Sequence, residues 1–262
     1  MDLGLRGKVA IVLGASQGMG RASARALAQE GCDLALAARK APPLGEAAEA
    51  IVRECGVKVF HQACDVTRDP DRESFLAETL HRYGRVDLLV NNCGGPKPGT
   101  FKDLQDPKDW ADAIERSLLQ VVKWTQAAVP LMKGWGRIVN IVSTSVKQPI
   151  DGLLLSNSVR PGVIGFAKSV ARELAGQGIT INSVLPGSIR TDRTVELAQA
   201  RAEKEKTSVD AVLQERGREI PAGRLGEPDE VGALVAFLCS QQAAYITGTT
   251  VTIDGGMTRT LL

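Results

Sequence analysis

Ser156 and Arg160 stand four residues apart in the run Ser156-Asn157-Ser158-Val159-Arg160. On a helix, residues i and i+4 share a face, so this pair would present a hydroxyl beside a guanidinium. The guanidinium is a fixed cation. It can bind an anionic group or stabilise a developing oxyanion, but it cannot shuttle a proton at neutral pH. The hydroxyl can relay a proton from water but is poorly matched to be the ultimate acid. Pro161 complicates the geometry. It lacks an N–H and disfavours α conformation at Arg160, so the spacing predicts a helix that starts only near Pro161. On the bland reading, both residues cap and pack that helix.

A second chemical signal is Leu13-Gly14-Ala15-Ser16-Gln17-Gly18-Met19-Gly20. It follows a strand-length apolar run and opens an Ala-rich helical segment. Gly14 permits a tight turn, Gly18 lets the backbone approach a pyrophosphate, and Gly20 permits close helix–sheet packing. The helix start adds N–H groups and a positive dipole end.

The elements that must position these residues alternate. Apolar runs at 8–13, 33–38, 57–63, 86–90, 137–142, 180–185 and 250–253 read as strands. Helical patterns fall at 21–30, 47–54, 71–83, about 109–132, 163–175 and 228–240. Continuous apolar strands alternating with helices predict a parallel sheet covered on both faces, an α/β doubly wound fold. No linker, repeat or low-complexity tract interrupts the chain, so 1–262 reads as one domain. Segment 194–220 is polar and charged and reads as one or two extra surface helices. It follows a strand's carboxyl end, where ligands of such sheets bind, so it is either a solvated excursion or a lid over a substrate pocket.

Composition excludes several classes. The net charge is +2 and only 4% of residues are aromatic, with no basic stripe to suggest nucleic acid. No apolar run is long enough for a membrane span, and no cleavage site fits a secretory signal. Five cysteines (32, 55, 64, 93 and 239) show neither a CxxC pair nor metal spacing. They read as reduced, mostly buried thiols of a cytoplasmic protein, with no metal site.

The GxxxGxG spacing over Gly14, Gly18 and Gly20 resembles the short-chain dehydrogenase/reductase family. Other landmarks follow in order. Asn91-Asn92-Cys93-Gly94 resembles the family's NNAG, and Asp65-Val66 sits where the family contacts adenine. Pro186-Gly187 with Ile189 and Thr191 resembles the PGxxxT loop that holds the nicotinamide. Residues 223–228 and 245–256 look like the C-terminal third of 3-oxoacyl-carrier-protein reductases. The resemblance covers almost the whole chain. It implies a Rossmann-like sheet and a cofactor site at Gly14, Ser16, Gln17, Gly18, Met19, Gly20, Asp65, Val66, Asn92, Gly94, Pro186, Gly187, Ile189 and Thr191. At the end of the second strand no acidic residue waits for a ribose 2′-hydroxyl, because Asp33 lies at the strand's other end. Arg39 and Lys40 instead offer cations for a 2′-phosphate, which favours NADP(H) over NAD(H).

The family's catalytic residues carry over unevenly. Its Ser corresponds to Ser143, its Tyr to Ser156 and its Lys to Arg160. Its Asn, on the long helix seven residues after Trp110, corresponds to Ser117. Neither Tyr83 nor Tyr245, nor His61 or His81, stands where it could replace the missing phenol. Arg160 is long enough to take over the ribose contact. The resemblance implies an NADP(H)-dependent oxidoreductase with an atypical site, acting on a small-molecule carbonyl or alcohol and assembling as a homotetramer or homodimer. Residues 144–155 would line the mouth of its pocket. Two alternatives stand beside it: a nicotinamide-binding protein without turnover, and a non-redox enzyme of elimination or isomerisation.

Overall fold

The structure is a computed structural model that describes residues 2–261. Seven strands form one sheet: β1 (Val9–Leu13), β2 (Asp33–Ala38), β3 (Val59–Ala63), β4 (Leu88–Asn91), β5 (Gly136–Ile141), β6 (Ile179–Pro186) and β7 (Thr250–Ile253). Every pairing is parallel and the order is β3-β2-β1-β4-β5-β6-β7. Both faces of each central strand are covered, which is why the strands read as unbroken apolar runs. Along β1, Ala10 and Val12 join one core with α1 (Gly18–Gln29), α2 (Ala41–Cys55) and α10 (Pro228–Cys239). Ile11 and Leu13 face the other core, built with α3 (Asp69–Tyr83), α5 (Gln120–Ala128) and α7 (Pro161–Leu174). β1 lies between β2 and β4, so the winding reverses there and opens a crevice at the carboxyl ends of the strands.

Three boundaries differ from expectation for physical reasons. Helix α2 begins at Ala41 rather than 47, because its prolines fall in the first turn, whose N–H groups have no helical partner. The long helix is α4 (Pro107–Ile114) and α5 joined by a π-helical turn at Glu115–Leu119. Such turns insert an extra residue and occur often at functional sites. The helix after Arg160 does start at Pro161, as expected, but a short α6 (Leu154–Val159) that carries Ser156 precedes it. Arg160 is the turn residue between α6 and α7, with its backbone in the α region at φ −64° and ψ −28°. Its N–H donates to the Ser156 carbonyl at 3.2 Å. Pro161 removes only its own hydrogen bond. Packing of Leu155 and Val159 against Leu104 and Ala113 holds α6 in line.

Most of segment 194–220 lies in two helices, α8 (Asp192–Glu205) and α9 (Val209–Arg218). These helices bury Ala198, Ala202, Val212 and Leu213 against each other and Leu225. Among the described residues, no helix is long and apolar enough to cross a membrane.

Candidate active site

The glycine turn between β1 and α1 is fixed by contacts that exclude side chains. Gly14 and Gly18 have φ of +61° and +55°, which L side chains rarely adopt. A Cβ on Gly20 would lie 2.2 Å from the Gly14 carbonyl oxygen and 2.7 Å from Asn92 Nδ2. Asn92 ties the turn to the end of β4, its Nδ2 donating to the carbonyls of Leu13 and Gly14 at 3.2 and 3.3 Å. Gln17 offers no side-chain cap, so its side chain leaves the first N–H groups of α1 open. Ser16 and Gln17 lie at the turn's surface, and Met19 packs inward.

The loops after the other strands converge on this turn. Pro186 ends β6, and the Gly187 N–H donates to the Ile253 carbonyl at 3.0 Å. A Cβ at Gly187 would meet that of Asp254 at 2.6 Å. Ile189 is buried, and Thr191 caps α8 by accepting from the Thr194 N–H. A Cβ on Gly18 would lie 3.3 Å from the Thr191 methyl, so the 186–191 loop closes directly on the turn.

Arg39 and Lys40 are exposed at the carboxyl end of β2, and neither forms an ion pair among the described residues. Asp33 is at the strand's far end, its Oδ1 accepting from the Lys58 N–H at 3.0 Å. Asp65 is partly buried. Burial pushes its carboxyl up, but donation from the Thr67 hydroxyl and N–H, with help from Arg116 and Arg39, holds it below the ordinary value. The Val66 carbonyl accepts from Trp124 Nε1 at 2.9 Å. Gly94 is exposed after β4, beside a partly buried Cys93 whose thiol donates to the Arg116 carbonyl at 2.8 Å. Burial pushes that thiol up against the pull of Arg160, Arg116 and Arg39, so it stays protonated and non-nucleophilic at neutral pH.

The candidate catalytic side chains meet through a residue the sequence did not single out. Ser143 Oγ accepts from the Ser145 N–H at 3.1 Å. The buried hydroxyls of Ser145 and Ser156 are 3.0 Å apart. Among the described residues the Ser156 hydroxyl bonds neither Ser143 nor Arg160. Arg160 reaches back to β5, where its Nη1 donates to the Val142 carbonyl. Burial lowers the guanidinium pKa. Arg160 and Ser117 share the wall of a small cavity with Cys93, Gln120 and Asn140. Ser117 Oγ, Gln120 Oε1, Asn140 Nδ2 and Arg160 Nε are all buried without a hydrogen-bond partner.

Ser145, Gln120 and Asn140 are the residues that sequence reasoning passed over. Asn140 carried a usable signal, an amide inside an apolar strand buried on both faces. Its Oδ1 accepts from Asn91 Nδ2 at 2.8 Å, which leaves its own Nδ2 toward the cavity. The other aromatic and imidazole groups stay outside the site. Tyr83 donates its hydroxyl to the Leu34 carbonyl at 2.9 Å, and Tyr245, His61 and His81 are exposed. No cluster of three or more His, Cys, Asp or Glu among the described residues could hold a metal.

Comparison with known proteins fits this geometry. A family model described as enoyl-(acyl carrier protein) reductase matches residues 14–258. A 3-oxoacyl-[acyl-carrier-protein] reductase of Vibrio cholerae is 37% identical over 257 residues, covering 97% of this chain and 99% of its own. A putative ketoacyl reductase of Streptomyces coelicolor is 35% identical over 254 residues, covering 95% and 97%. Among solved structures, an L-sorbose reductase from Gluconobacter frateurii, complexed with NADPH and L-sorbose, superposes with a TM-score of 0.96 at 31% identity, covering both chains fully. With matches of this extent and a sheet of this order, the chain belongs to the short-chain dehydrogenase/reductase family.

Proposed function

We propose that the protein is an NADP(H)-dependent oxidoreductase acting on a small-molecule carbonyl or alcohol. In this reading residues 1–262 form one dinucleotide-binding domain, segment 194–220 is a lid, and the protein works in the cytoplasm as a homotetramer or homodimer. The observation that carries it is the glycine cradle. No side chain fits at Gly20, the α1 N–H groups are uncapped, and the 186–191 loop closes over them. A pyrophosphate with its nicotinamide end under Pro186, Gly187, Ile189 and Thr191 suits that space, and the exposed, unpaired Arg39 and Lys40 suit a 2′-phosphate. The L-sorbose reductase with a similar fold was solved with NADPH. Asp65, Val66, Asn92 and Gly94 line the adenine and ribose side.

When bound, the cofactor supplies or accepts a hydride at the substrate carbon. The rest falls to the chain. Ser143 uses its oxygen to accept from the Ser145 N–H, which frees its own O–H to donate to a substrate carbonyl. The Ser145–Ser156 pair shares one hydrogen bond and keeps one O–H free, so it can pass a proton from water to a nascent alkoxide. Arg160 is a fixed positive charge near them, and Ser117, on the π turn, lines the same cavity. The substitution of Ser and Arg for the family's Tyr and Lys is thus read as an adapted site.

One observation favours a second reading, a nicotinamide-binding protein without turnover: neither Tyr83 nor Tyr245 is placed in the crevice to serve as an acid. Titration with NADPH and NADH, followed by NADPH consumption with a panel of ketones, separates the two. We expect NADPH to bind at least about tenfold more tightly than NADH, because one charge-assisted contact is worth ~1.5–3 kcal/mol, and at least one ketone to be consumed. Tight NADPH binding with no consumption across the panel would favour the second reading.

A further inference from the structure

Two arginines are buried in this protein, under different conditions. Arg137, on β5, is 3% exposed. Its guanidinium donates to the carbonyls of Ser240, Gly136 and Gly178 at 3.2, 2.8 and 3.1 Å. Its Cζ also lies 4.3 Å from the Trp135 ring centroid. Carbonyls and an aromatic face replace much of its lost hydration. Arg160 is 9% exposed and has far less. Nη1 has the Val142 carbonyl, while Nε has no partner. No carboxylate pairs with it among the described residues, and Cys93 beside it is held as a neutral thiol. Nη2 points toward the loop after β4, where a Cβ built on Gly95 would stand 3.8 Å from it.

A buried charge needs a counter-charge or a full set of hydrogen bonds, and Arg160 has neither. The cavity wall it shares holds more unused donors than acceptors: Asn140 Nδ2, the Ser117 hydroxyl and Arg160 Nε against Gln120 Oε1. The cofactor's phosphates are provided for elsewhere, at the glycine turn and at Arg39. Arg160 instead sits between the end of β5 and the loop after β4, one residue from the backbone of Ser143. We propose, building on the oxidoreductase reading above, that Arg160 is the receptor for a carboxylate carried by the substrate. The preferred substrates are then oxo acids, or hydroxy acids in reverse, in place of neutral ketones or sugars. A guanidinium fits this task better than an ammonium because its planar fork can give two parallel hydrogen bonds to one carboxylate.

The test is calorimetric titration of the NADP⁺-saturated protein with short 2-, 3- and 4-oxo acids and with their amides. The oxidised cofactor has no hydride to give an oxo acid, so binding is read without reduction. At least one acid should bind tenfold or more tightly than its amide. In Arg160→Gln that advantage should fall below threefold with NADP⁺ affinity retained, and Arg160→Lys should keep part of it. Equal binding of acid and amide by the wild-type protein, or no binding of any acid, overturns the proposal even where the Gln variant fails to fold. So does an Arg160→Gln variant that loses NADP⁺ binding while keeping the acid preference, which would give the residue to the cofactor. NADPH oxidation by the same acids is measured separately. An acid that binds through Arg160 and is not reduced sinks the oxidoreductase reading and leaves the receptor standing.

Discussion

The Ser145–Ser156 hydrogen bond is the smallest feature on which the proposed chemistry depends. A hydroxyl relay acts as a unit, so losing either member breaks it. We predict that Ser145→Ala and Ser156→Ala each lower kcat by about 10²–10⁴, the usual worth of positioned proton transfer, with little change in KM. The double variant should be no worse than the poorer single one, and steady-state kinetics across the four proteins checks this. Multiplying losses would mean that the two hydroxyls act separately. At the nucleotide end, Arg39→Glu should weaken NADPH by about ten- to a hundredfold, from the ~1.5–3 kcal/mol of a charge-assisted hydrogen bond, and leave NADH nearly unchanged. Equal loss for both cofactors would remove Arg39 from the 2′-phosphate. The glycine turn was legible because its function depends on backbone, and glycine is the only residue that fits. The Ser145–Ser156 contact was not. It joins a loop after β5 to α6, eleven residues on in the chain, and only tertiary packing decides which hydroxyls meet.

At the scale of elements, the 186–191 loop joins the nucleotide turn to α8 and α9, the helices proposed as a lid. Thr191 caps α8, and Arg216 on α9 donates to Ser188 Oγ at 3.3 Å. Cofactor binding under this loop should therefore order the two helices. Amide exchange over residues 192–218 should slow when NADPH is added and slow further with substrate, whereas unchanged exchange would reduce the segment to a solvated excursion. The strands were readable because burial on both faces makes each an apolar run. Helix starts were less readable. Proline is read as a breaker, yet at α2 and α7 it occupies a first turn, where its missing N–H costs little. The short α6 ahead of Pro161 and the α-region backbone of Arg160 could not be read locally, since contacts of Leu155 and Val159 hold them against proline's preference.

For the whole molecule, burial on both sides of the sheet also fixes the thiols. Cys64 and Cys239 are pushed by burial to about 12, from an ordinary 9.0, and Cys32 moves the same way. The folded state thus holds these protons more tightly than the unfolded chain does. Their contribution is fully present below about pH 9 and is lost as pH rises through the folded values. Denaturant midpoints should fall between pH 9 and 11, and fall less steeply in a Cys64→Ala/Cys239→Ala variant. An unchanged slope would show that these thiols do not govern the alkaline limit. In the proposed reading, the nucleotide cradle, the Ser145–Ser156 hydroxyl pair and the buried guanidinium together serve a reductase without the family's phenol. The most direct test is transfer of deuterium from NADPH labelled at the nicotinamide C4 to a panel of carbonyl compounds that includes oxo acids. We expect the label at the carbinol carbon of at least one product, with the alcohol proton drawn from water. NADPH bound tightly, with no label transferred to any compound, would contradict the oxidoreductase reading.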